Sequence, residues 1–287
     1  MNSNSPNFLI VGCMKSGTSA LSRNINKHHD VYCLTNYTKR KITDKLVDTE
    51  NFELSSVRKG MSKLHTKELD FFNDDVNFAL GQGHYERYFK QKLKAIGESS
   101  PNYTQPHVID KSITNIKSLY PNMKIIYVMR DPINRAFSHY NMVNNLDVDN
   151  MAGDSWKKSI KGVSFDTVVS RQEEYDPNGS GIFRRGKHYD VLQKLIAAFG
   201  KENIHVIVQE TMKDDQFSEL NKVYQFLGVD QVEVGALGEY KDSNIGDYKD
   251  RVLSQEAIDS LKLYYASDVT QLKGEYPDLD YSKWNNY

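Results

Sequence analysis

The chain has 287 residues and a formal net charge of −1, so it is long enough to bury a sizeable core. The balanced charge argues against a general nucleic-acid binder, whose affinity rests on an excess of basic residues. No run of about 18 apolar residues is present, and we expect no membrane span. With two cysteines, Cys13 and Cys33, and no signal-peptide pattern at the N-terminus, we expect no disulfide framework and a cytoplasmic location.

The first predicted strand and helix are joined by a short polar turn. Residues 8–11 are apolar and predict a buried strand, and a helical pattern follows the turn and continues to about Lys27. Gly12 and Gly17 allow the backbone to bend tightly in between. Because the free N–H groups at the start of such a helix face the turn, the segment predicts a site for a phosphate or sulfate.

A lysine inside this turn distinguishes it from an ordinary tight connection. Lys15 is followed by three hydroxyl side chains: Ser16, Thr18 and Ser19. The last two can also cap the new helix. A cation here is hard to justify by packing, whereas it can bind an anion. ATP- and GTP-binding loops place lysine directly after the second glycine, but Lys15 comes two residues before Gly17.

That order resembles the 5′-phosphosulfate loop of sulfotransferases, which bind 3′-phosphoadenosine 5′-phosphosulfate (PAPS) and release adenosine 3′,5′-bisphosphate (PAP). The resemblance implies that residues 15–19 bind the donor. After a second short strand at residues 31–34, residues 35–66 lose clear periodicity and predict an irregular excursion. A substrate lid and a solvated surface segment remain equally open for it.

The next informative segment reads Lys67-Glu68-Leu69-Asp70-Phe71-Phe72. The two aromatic residues predict an anchor in the core, which would hold Glu68 at a fixed place on a pocket wall, where a carboxylate can act as a base. On the residues alone, an exposed surface charge is the commoner state of a glutamate. The segment matches the Lys-Glu-x-x-Phe-Phe pattern of heparan-sulfate-type sulfotransferases position for position. That resemblance implies that Glu68 is the catalytic base.

A second stretch is similar to the same enzymes. A helical pattern at residues 85–92 and a short strand at 94–98 lead into a turn where the family has Glu-Lys-[Ser/Thr]-Pro-x-Tyr. The chain keeps four of these positions: Glu98, Ser100, Pro101 and Tyr103. Ser99 replaces the lysine that lines the active site in the family, which predicts a different acceptor or charge balance. An amphipathic helix at residues 109–119 is interpreted as scaffold.

The next clear strand, residues 124–129, is followed by a helix that Pro132 can begin. Arg130 therefore lies at the carboxyl end of a strand, where open α/β sheets bind ligands, and Ser138 lies about two turns along the helix. The segment resembles the 3′-phosphate motif of sulfotransferases, R-D-P-x-x-R-x-x-S-x-Y. This resemblance implies that Arg130 and Ser138 bind the 3′-phosphate.

Other basic residues have more than one interpretation. Arg135 is interpreted as a structural ion-pair partner, with Asp131 as the candidate carboxylate, in preference to a ligand. Residues 146–181 predict another acceptor-facing excursion. Three cations open the helix that follows: Arg184, Arg185 and Lys187. They could contact an anionic acceptor or the adenosine side of the donor, or form a solvated helix start, and both interpretations remain open.

The last part of the chain resembles the family more weakly. A strand at residues 204–208 and helices at 217–227 and 254–272 are predicted. Residues 246–249 are similar to the Gly-Asp-Trp-Lys segment of cytosolic sulfotransferases. Lys241 is the one cation that matches the Arg-Lys-Gly triplet preceding that segment in the family, and the resemblance implies a contact with the donor.

The resemblance spans residues 8–272 and implies a P-loop-like three-layer α/β sandwich, with a central parallel sheet flanked by helices. We predict a single domain over residues 1–287. The implied reaction is in-line transfer of the sulfuryl group from PAPS to a hydroxyl or amine of a carbohydrate-like acceptor. Glu68 would act as general base and Lys15 would stabilise the leaving charge, without a metal.

Three alternatives remain. The acceptor could be a small metabolite or a lipid. A P-loop nucleotide kinase would need the usual lysine position and an acidic magnesium ligand after a strand, where this chain has Arg130. A non-catalytic module that binds a sulfated or phosphorylated ligand would keep Lys15, Arg130 and Ser138, but would not depend on Glu68.

Overall fold

A computed structural model describes residues 5–34, 68–145, 159–175, 181–233, 235, 237–238 and 252–287. Its centre is a five-stranded parallel sheet with the strand order β2-β3-β1-β4-β5. The strands are β1 (Phe8–Gly12), β2 (Val31–Cys33), β3 (Ala95–Ser99), β4 (Lys124–Met129) and β5 (Ile204–Val208). The predicted parallel sheet is confirmed, and the first strand of the chain lies at its centre.

The helices connect these strands and cover both faces of the sheet. In chain order they are α1 (Thr18–Ile25), α2 (Asp75–Ala79), α3 (Gln82–Glu86), α4 (Ile109–Leu119), α5 (Pro132–Asn144), α6 (Phe165–Ser170), α7 (Gln172–Tyr175), α8 (His188–Phe199), α9 (Gln209–Asp214), α10 (Gln216–Leu227) and α11 (Gln255–Glu275). Three 3₁₀ turns, Pro101–Thr104, Arg184–Gly186 and Lys201–Asn203, precede α4, α8 and β5.

Alternating residues of the central strand enter two separate apolar layers, because successive side chains of a strand point to opposite faces. Leu9 packs in the layer that includes residues of α4, α5, α8 and α11. Ile10 packs in the other layer, with residues of α1 and α10. Both side chains are fully buried. The predicted three-layer α/β sandwich is therefore confirmed.

Two local predictions need correction or qualification. The helix predicted at residues 85–92 is wrong, because the helix covers Gln82–Glu86 and is followed by an i→i−3 hydrogen bond from Phe89 to Glu86. The chain turns here so that the buried Tyr85 and Phe89 share one core before β3 begins. The excursion at 35–66 lies outside the described residues. The described part of the 146–181 excursion contains α6 and α7.

Three of the sequence motifs follow strands at the same edge of the sheet. Because β3, β1 and β4 are neighbours and parallel, their carboxyl ends meet side by side. The loop after β1, the turn after β3 and Arg130 after β4 are therefore adjacent, as expected for a ligand site in an open α/β sheet. Within the ranges described above, no helix is both long and apolar enough to cross a membrane.

Candidate functional site

The loop between β1 and α1 contains three residues with positive φ. Gly12 has φ of 142°, Lys15 of 73° and Gly17 of 95°. A Cβ atom on Gly12 would lie 2.2 Å from the carbonyl oxygen of Val128, so β4 leaves no room for a side chain there. The loop therefore folds tightly over the end of the neighbouring strand, with a lysine in a backbone region that L-residues rarely adopt.

Gly17 forms the N-cap of α1, in left-handed conformation, and the cap receives no side-chain hydrogen bond from the described residues. The prediction that Thr18 and Ser19 cap the helix is thus not confirmed, since Thr18 is already its first helical residue. A side-chain cap would occupy amides that an anion could bind. Ser16 is fully buried, and its hydroxyl has no hydrogen-bond partner in the described part of the chain. These features fit an anion in the loop.

Arg130 joins the end of β4 to this loop. Its Nη1 donates a hydrogen bond to the Lys15 carbonyl at 3.1 Å. On the other side, its Nε lies 3.9 Å from a carboxylate oxygen of Glu210, at the start of α9. Burial raises the pKa of Glu210, while the Asp131 amide and the charge of Arg130 oppose that rise. The structure thus brings together Arg130 and the Lys15 loop, and Glu210 orients the guanidinium.

Arg135 has different partners from the ion pair suggested by the sequence. It is fully buried. Its guanidinium donates hydrogen bonds to the carbonyl oxygens of Met14, at 3.2 Å, and of Ile182. Asp131 instead caps α5, accepting hydrogen bonds from the amides of the second and third helical residues. Arg135 therefore stabilises the loop between β1 and α1 by a hydrogen bond to one of its backbone carbonyl oxygens.

A buried hydrogen-bonded chain holds the backbone of Arg130. The Tyr127 hydroxyl lies 2.9 Å from Nδ1 of His188, and Nε2 of His188 lies 2.8 Å from the Arg130 carbonyl. A carbonyl only accepts, so Nε2 carries the proton and Nδ1 accepts from the tyrosine. Burial lowers the pKa of His188 to about 3, which keeps the ring neutral.

The Glu68 segment is anchored as the two aromatics predict. Phe71 and Phe72 are 3% and 0% exposed, and Phe71 stacks on the ring of Tyr85. Glu68 itself is half-buried, immediately before the buried Leu69. The structure places this segment against the turn that follows β3, next to the loop of Lys15 between β1 and α1, which is called the donor-type loop below. The glutamate therefore combines a fixed backbone with a side chain that reaches the surface.

The turn after β3 also shows what Ser99 contacts. Its side chain is fully buried, and its hydroxyl lies 3.4 Å from the Thr18 carbonyl, in the first turn of α1. The position where the family has lysine therefore borders the donor-type loop. Ser138 is half-buried on α5. Lys241 lies outside the described residues, so its predicted donor contact stays a prediction.

The three cations before α8 differ from one another. Arg184 is exposed, while Arg185 is 6% exposed and its carbonyl accepts a hydrogen bond from the Cys13 thiol. The Lys187 ammonium lies 5.1 Å from the centre of the Tyr264 ring. Of the three cations, Arg184 is therefore the one whose exposure fits a solvated helix start. Arg185 lies beside the loop after β1.

Sequence reasoning missed the functional contacts of two residues. Glu210 is the second residue after β5 and belongs to none of the motifs, and no sequence pattern indicates a role for His188. The signal that could have found Glu210 is its place after a strand, because a carboxylate at that edge can pair with Arg130. Using it requires the knowledge that β5 lies next to β4, which the pattern of one chain does not provide.

Comparison with known proteins gives matches over most of the chain. The family model described as a sulfotransferase domain matches residues 5–249. A membrane-associated sulfotransferase of Dictyostelium discoideum is 28% identical over 141 residues, which cover 47% of this chain and 22% of that protein. Heparan sulfate glucosamine 3-O-sulfotransferase 5 of Mus musculus is 23% identical over 226 residues, covering 78% and 54% of the two chains. The matches thus span at most about half of these relatives.

Solved structures show the same fold. A sulfotransferase from Alicyclobacillus acidocaldarius superposes with a TM-score of 0.64 at 22% identity, covering 98% of both chains. A mouse sulfotransferase in complex with PAP superposes with a TM-score of 0.53 at 16% identity, covering 94% of this chain and 88% of that one. At these identities the likeness establishes the fold of the central sheet and its flanking helices.

Proposed function

Because the chain belongs to the sulfotransferase family, we propose that it transfers the sulfuryl group of PAPS to a hydroxyl or amine of a carbohydrate-like acceptor. One observation carries the proposal. The Lys15 loop and Arg130 follow the neighbouring strands β1 and β4, with the guanidinium bonded to the Lys15 carbonyl at 3.1 Å, and the Leu69 amide beside Glu68 donates to Ser100 in the turn after β3. An anion-binding loop, a second cation and a carboxylate are the groups that this reaction needs.

The donor would be held by two sets of groups. Lys15, the Ser16 hydroxyl and the amides of residues 17–19 bind the 5′-phosphosulfate, since the glycine cap leaves these amides to an anion. Arg130 and Ser138 bind the 3′-phosphate through charge-assisted hydrogen bonds, and Lys241 adds a third contact. Glu210 keeps the guanidinium of Arg130 in place before the donor arrives.

In the proposed reaction, Glu68 accepts the proton of the acceptor hydroxyl or amine while that atom attacks sulfur in line. The new bond to sulfur forms as the bond between sulfur and the bridging oxygen breaks, and PAP is the leaving group. Lys15 and the loop amides stabilise the negative charge that develops on the bridging oxygen. As in phosphoryl transfer, positioning and charge stabilisation account for the rate.

The acceptor class rests on the Glu68 segment. The Lys-Glu-x-x-Phe-Phe pattern is that of heparan-sulfate-type enzymes, and a relative whose name states a heparan sulfate substrate covers 78% of this chain. A soluble cytoplasmic enzyme remains the prediction from the sequence. Ser99, in place of the family lysine, removes a cation from the border of the donor loop. We therefore expect an acceptor that does not need an ion pair at this point.

Ligand-dependent thermal unfolding tests the donor site directly. The protein is heated with PAP, with ATP or with 5′-AMP, each without magnesium, and also with ATP in the presence of magnesium. A ligand present at about one hundred times its dissociation constant adds about 2.7 kcal/mol to the free energy of unfolding. We expect PAP alone to give this stabilisation and Arg130→Ala to abolish it. Transfer of radiolabelled sulfate from PAPS to an unsulfated heparan-type oligosaccharide then tests the acceptor.

The outcomes separate the alternatives. Stabilisation by ATP with magnesium, equal to that by PAP, would favour the nucleotide kinase. Binding of PAP without turnover of PAPS on any hydroxyl or amine would favour the non-catalytic anion-binding module. Turnover on a small metabolite or lipid, but not on the oligosaccharide, would keep the reaction and replace the acceptor class.

A further inference from the structure

Glu98 is a fully buried carboxylate at the end of β3 that the proposed reaction does not use. It accepts hydrogen bonds from three hydroxyls: Tyr85 at 2.9 Å, Ser100 at 2.6 Å and Tyr103 at 2.5 Å. A carboxylate buried without partners would be strongly unfavourable. Burial raises the pKa of Glu98, and the three hydroxyl donors oppose that rise by stabilising the ionised form.

This hydrogen-bonded cluster holds the backbone on the C-terminal side of Glu68. The Leu69 amide is shared between the Ser100 hydroxyl, at 3.3 Å, and a carboxylate oxygen of Glu98, at 3.4 Å. The Phe71 amide donates to the Tyr103 hydroxyl at 3.1 Å, and that hydroxyl in turn donates to Glu98. Two amides within three residues of Glu68 thus depend on one buried carboxylate.

The segment has no regular secondary structure of its own to fix it. Asp70 has φ of 50°, a left-handed conformation that a non-glycine residue adopts only where its surroundings require it. Its carboxylate accepts a hydrogen bond from Asn102, and its carbonyl accepts one from Asn77. The position of Glu68 is therefore set by contacts with the turn after β3 and with α2.

The same turn is bonded to the donor-type loop. The Ser100 amide donates to the Ile10 carbonyl at 3.1 Å, and the Thr104 hydroxyl donates to the Gly12 carbonyl at 2.8 Å. Residues 98–104 therefore contact the Glu68 segment on one side and the strand and loop that lead to Lys15 on the other. The turn after β3 therefore sets how far Glu68 lies from the loop of Lys15.

We propose that Glu98 is a positioning residue for the reaction, which, with Ser100 and Tyr103, fixes the backbone of Glu68 relative to the donor loop. The inference rests on the proposed function, because it assigns a partner to the base named there. Displacing a catalytic group by about 1 Å can cost about 100-fold in rate. Loss of the Glu98 contacts should therefore lower kcat, while the donor site itself keeps its residues.

Three variants test the proposal. Glu98→Gln replaces the acceptor of the hydroxyl bonds, and Tyr103→Phe removes one hydroxyl that links Glu98 to the Phe71 amide. Tyr120→Phe is the matched control, because its hydroxyl donates to Glu86 at 3.1 Å while its ring contacts Phe72 in the same aromatic cluster. Each variant is measured for PAP affinity, for kcat and KM with PAPS and the oligosaccharide, and for amide hydrogen exchange.

We expect Glu98→Gln and Tyr103→Phe to lower kcat by about 10- to 100-fold, with PAP affinity unchanged. Hydrogen exchange should accelerate in the peptide of residues 68–72 and stay unchanged in residues 13–19. Tyr120→Phe should keep both kcat and the protection of residues 68–72. If Glu98→Gln does not fold, Tyr103→Phe, which keeps the ring and the carboxylate, carries the test.

Unchanged exchange at residues 68–72 in Tyr103→Phe would overturn the proposal, whether or not the oligosaccharide is an acceptor. A loss of PAP affinity equal to the loss of kcat would also overturn it, because the cluster would then support the whole site. Failure of the proposed function is seen separately, as the absence of PAP binding or of sulfuryl transfer from PAPS by the unaltered chain.

Discussion

Lys15 stands out at the scale of single residues because its backbone is left-handed, with φ of 73°. Such a conformation costs a non-glycine residue about 1–3 kcal/mol, and it persists where the surroundings determine it. Here Arg130 holds the Lys15 carbonyl and Arg135 holds that of Met14. Two arginines therefore fix the loop from the side of β4 and α5, and the lysine side chain is presented from a rigid backbone.

Replacing Lys15 by methionine should weaken the binding of PAP by about 10- to 100-fold, because a hydrogen bond to a charged group contributes about 1.5–3 kcal/mol. Isothermal titration with PAP measures the change. Lys27→Met, at the other end of α1, is the control, since its ammonium lies 3.4 Å from the Gln216 side chain and away from the loop. Equal losses in both variants would mean that general positive charge, and not the loop, binds the nucleotide.

Glu68→Gln tests the base. The substitution keeps the size of the side chain but removes its ability to accept a proton, and general base catalysis contributes about 10²- to 10⁴-fold. We expect kcat to fall within that range and the dissociation constant of PAP to stay the same. Full turnover by Glu68→Gln, with normal PAP binding, would show that another group takes the proton.

His188 predicts a dependence of stability on pH. Burial lowers its pKa to about 3, from 6.5 in an unfolded chain, so between these pH values the unfolded chain binds a proton that the folded chain does not. The free energy of unfolding therefore falls as pH falls from 6.5 towards 3, by up to about 1.4 kcal/mol per pH unit from this residue, and is independent of it above that range.

Urea unfolding of His188→Gln at several pH values between 4.5 and 7 measures this contribution. We expect a shallower loss of stability on acidification than in the unaltered chain. The same slope in His188→Gln and in the unaltered chain would contradict the assignment of a neutral buried ring.

At the scale of elements, α5 links the two ends of the proposed donor site. The helix begins two residues after Arg130 and carries Ser138. Asp131, between them, caps the helix by accepting hydrogen bonds from the amides of Ile133, at 2.9 Å, and Asn134, at 3.0 Å. The other oxygen of Asp131 accepts from Asn286 at 2.9 Å. The cap therefore sets the angle at which the helix leaves the strand and the positions of both residues.

Asp131→Ala should lower the free energy of unfolding by about 1–2 kcal/mol, the usual cost of a lost N-cap, and should also weaken PAP binding. Asp215→Ala is a matched control, because Asp215 caps α10 by the same kind of hydrogen bond, to Ser218 at 3.0 Å. Its stability cost should be smaller, because one exposed hydrogen bond is lost, and its PAP affinity should be normal. Equal PAP affinity in the two variants would show that the α5 cap is structural only.

The elements were more predictable than the contacts between them. Apolar runs identified all five strands, including β3 to within one residue, and the position of Arg130 after β4 followed from them. The prediction of a helix at residues 85–92 is wrong because the spacing of Tyr85 and Phe89 fits a helical period as well as it fits the turn that packs both side chains in one core. Two contacts depend on the order of the strands in the sheet: the ion pair of Arg130 with Glu210, and the hydrogen bond from the Leu69 amide to Glu98. The local sequence pattern does not give that order.

At the scale of the molecule, the sheet separates two apolar layers that share its strands. Leu9 and Ile10 are consecutive residues of β1, yet each belongs to a different layer. Neither layer can lose its packing without exposing the face of the sheet on which it rests. We therefore expect the described residues to unfold as one unit, and the single domain over residues 1–287 stays a prediction.

Urea unfolding followed by tryptophan fluorescence and by far-ultraviolet circular dichroism should give coincident transitions. Ile25→Val in one layer and Ile116→Val in the other should each cost about 0.5–1.5 kcal/mol, and the double variant should cost their sum. Both side chains are buried, at 0% and 2% exposure. Two separate transitions, each sensitive to one substitution, would divide the molecule into independently stable parts.

The central place of β1 determines when the donor loop can form during synthesis. Phe8 pairs with Gly97 on one side and with Lys124 on the other, so the strand made first has neighbours that are made much later. Such distant pairings are slow to form, because a long stretch of chain must be ordered before any contact compensates for it. The Lys15 loop thus leaves the ribosome before β3 and β4 do, but takes its shape only after β4 emerges. A nascent chain released before that point exposes an apolar strand without partners, which makes it a natural substrate for chaperones.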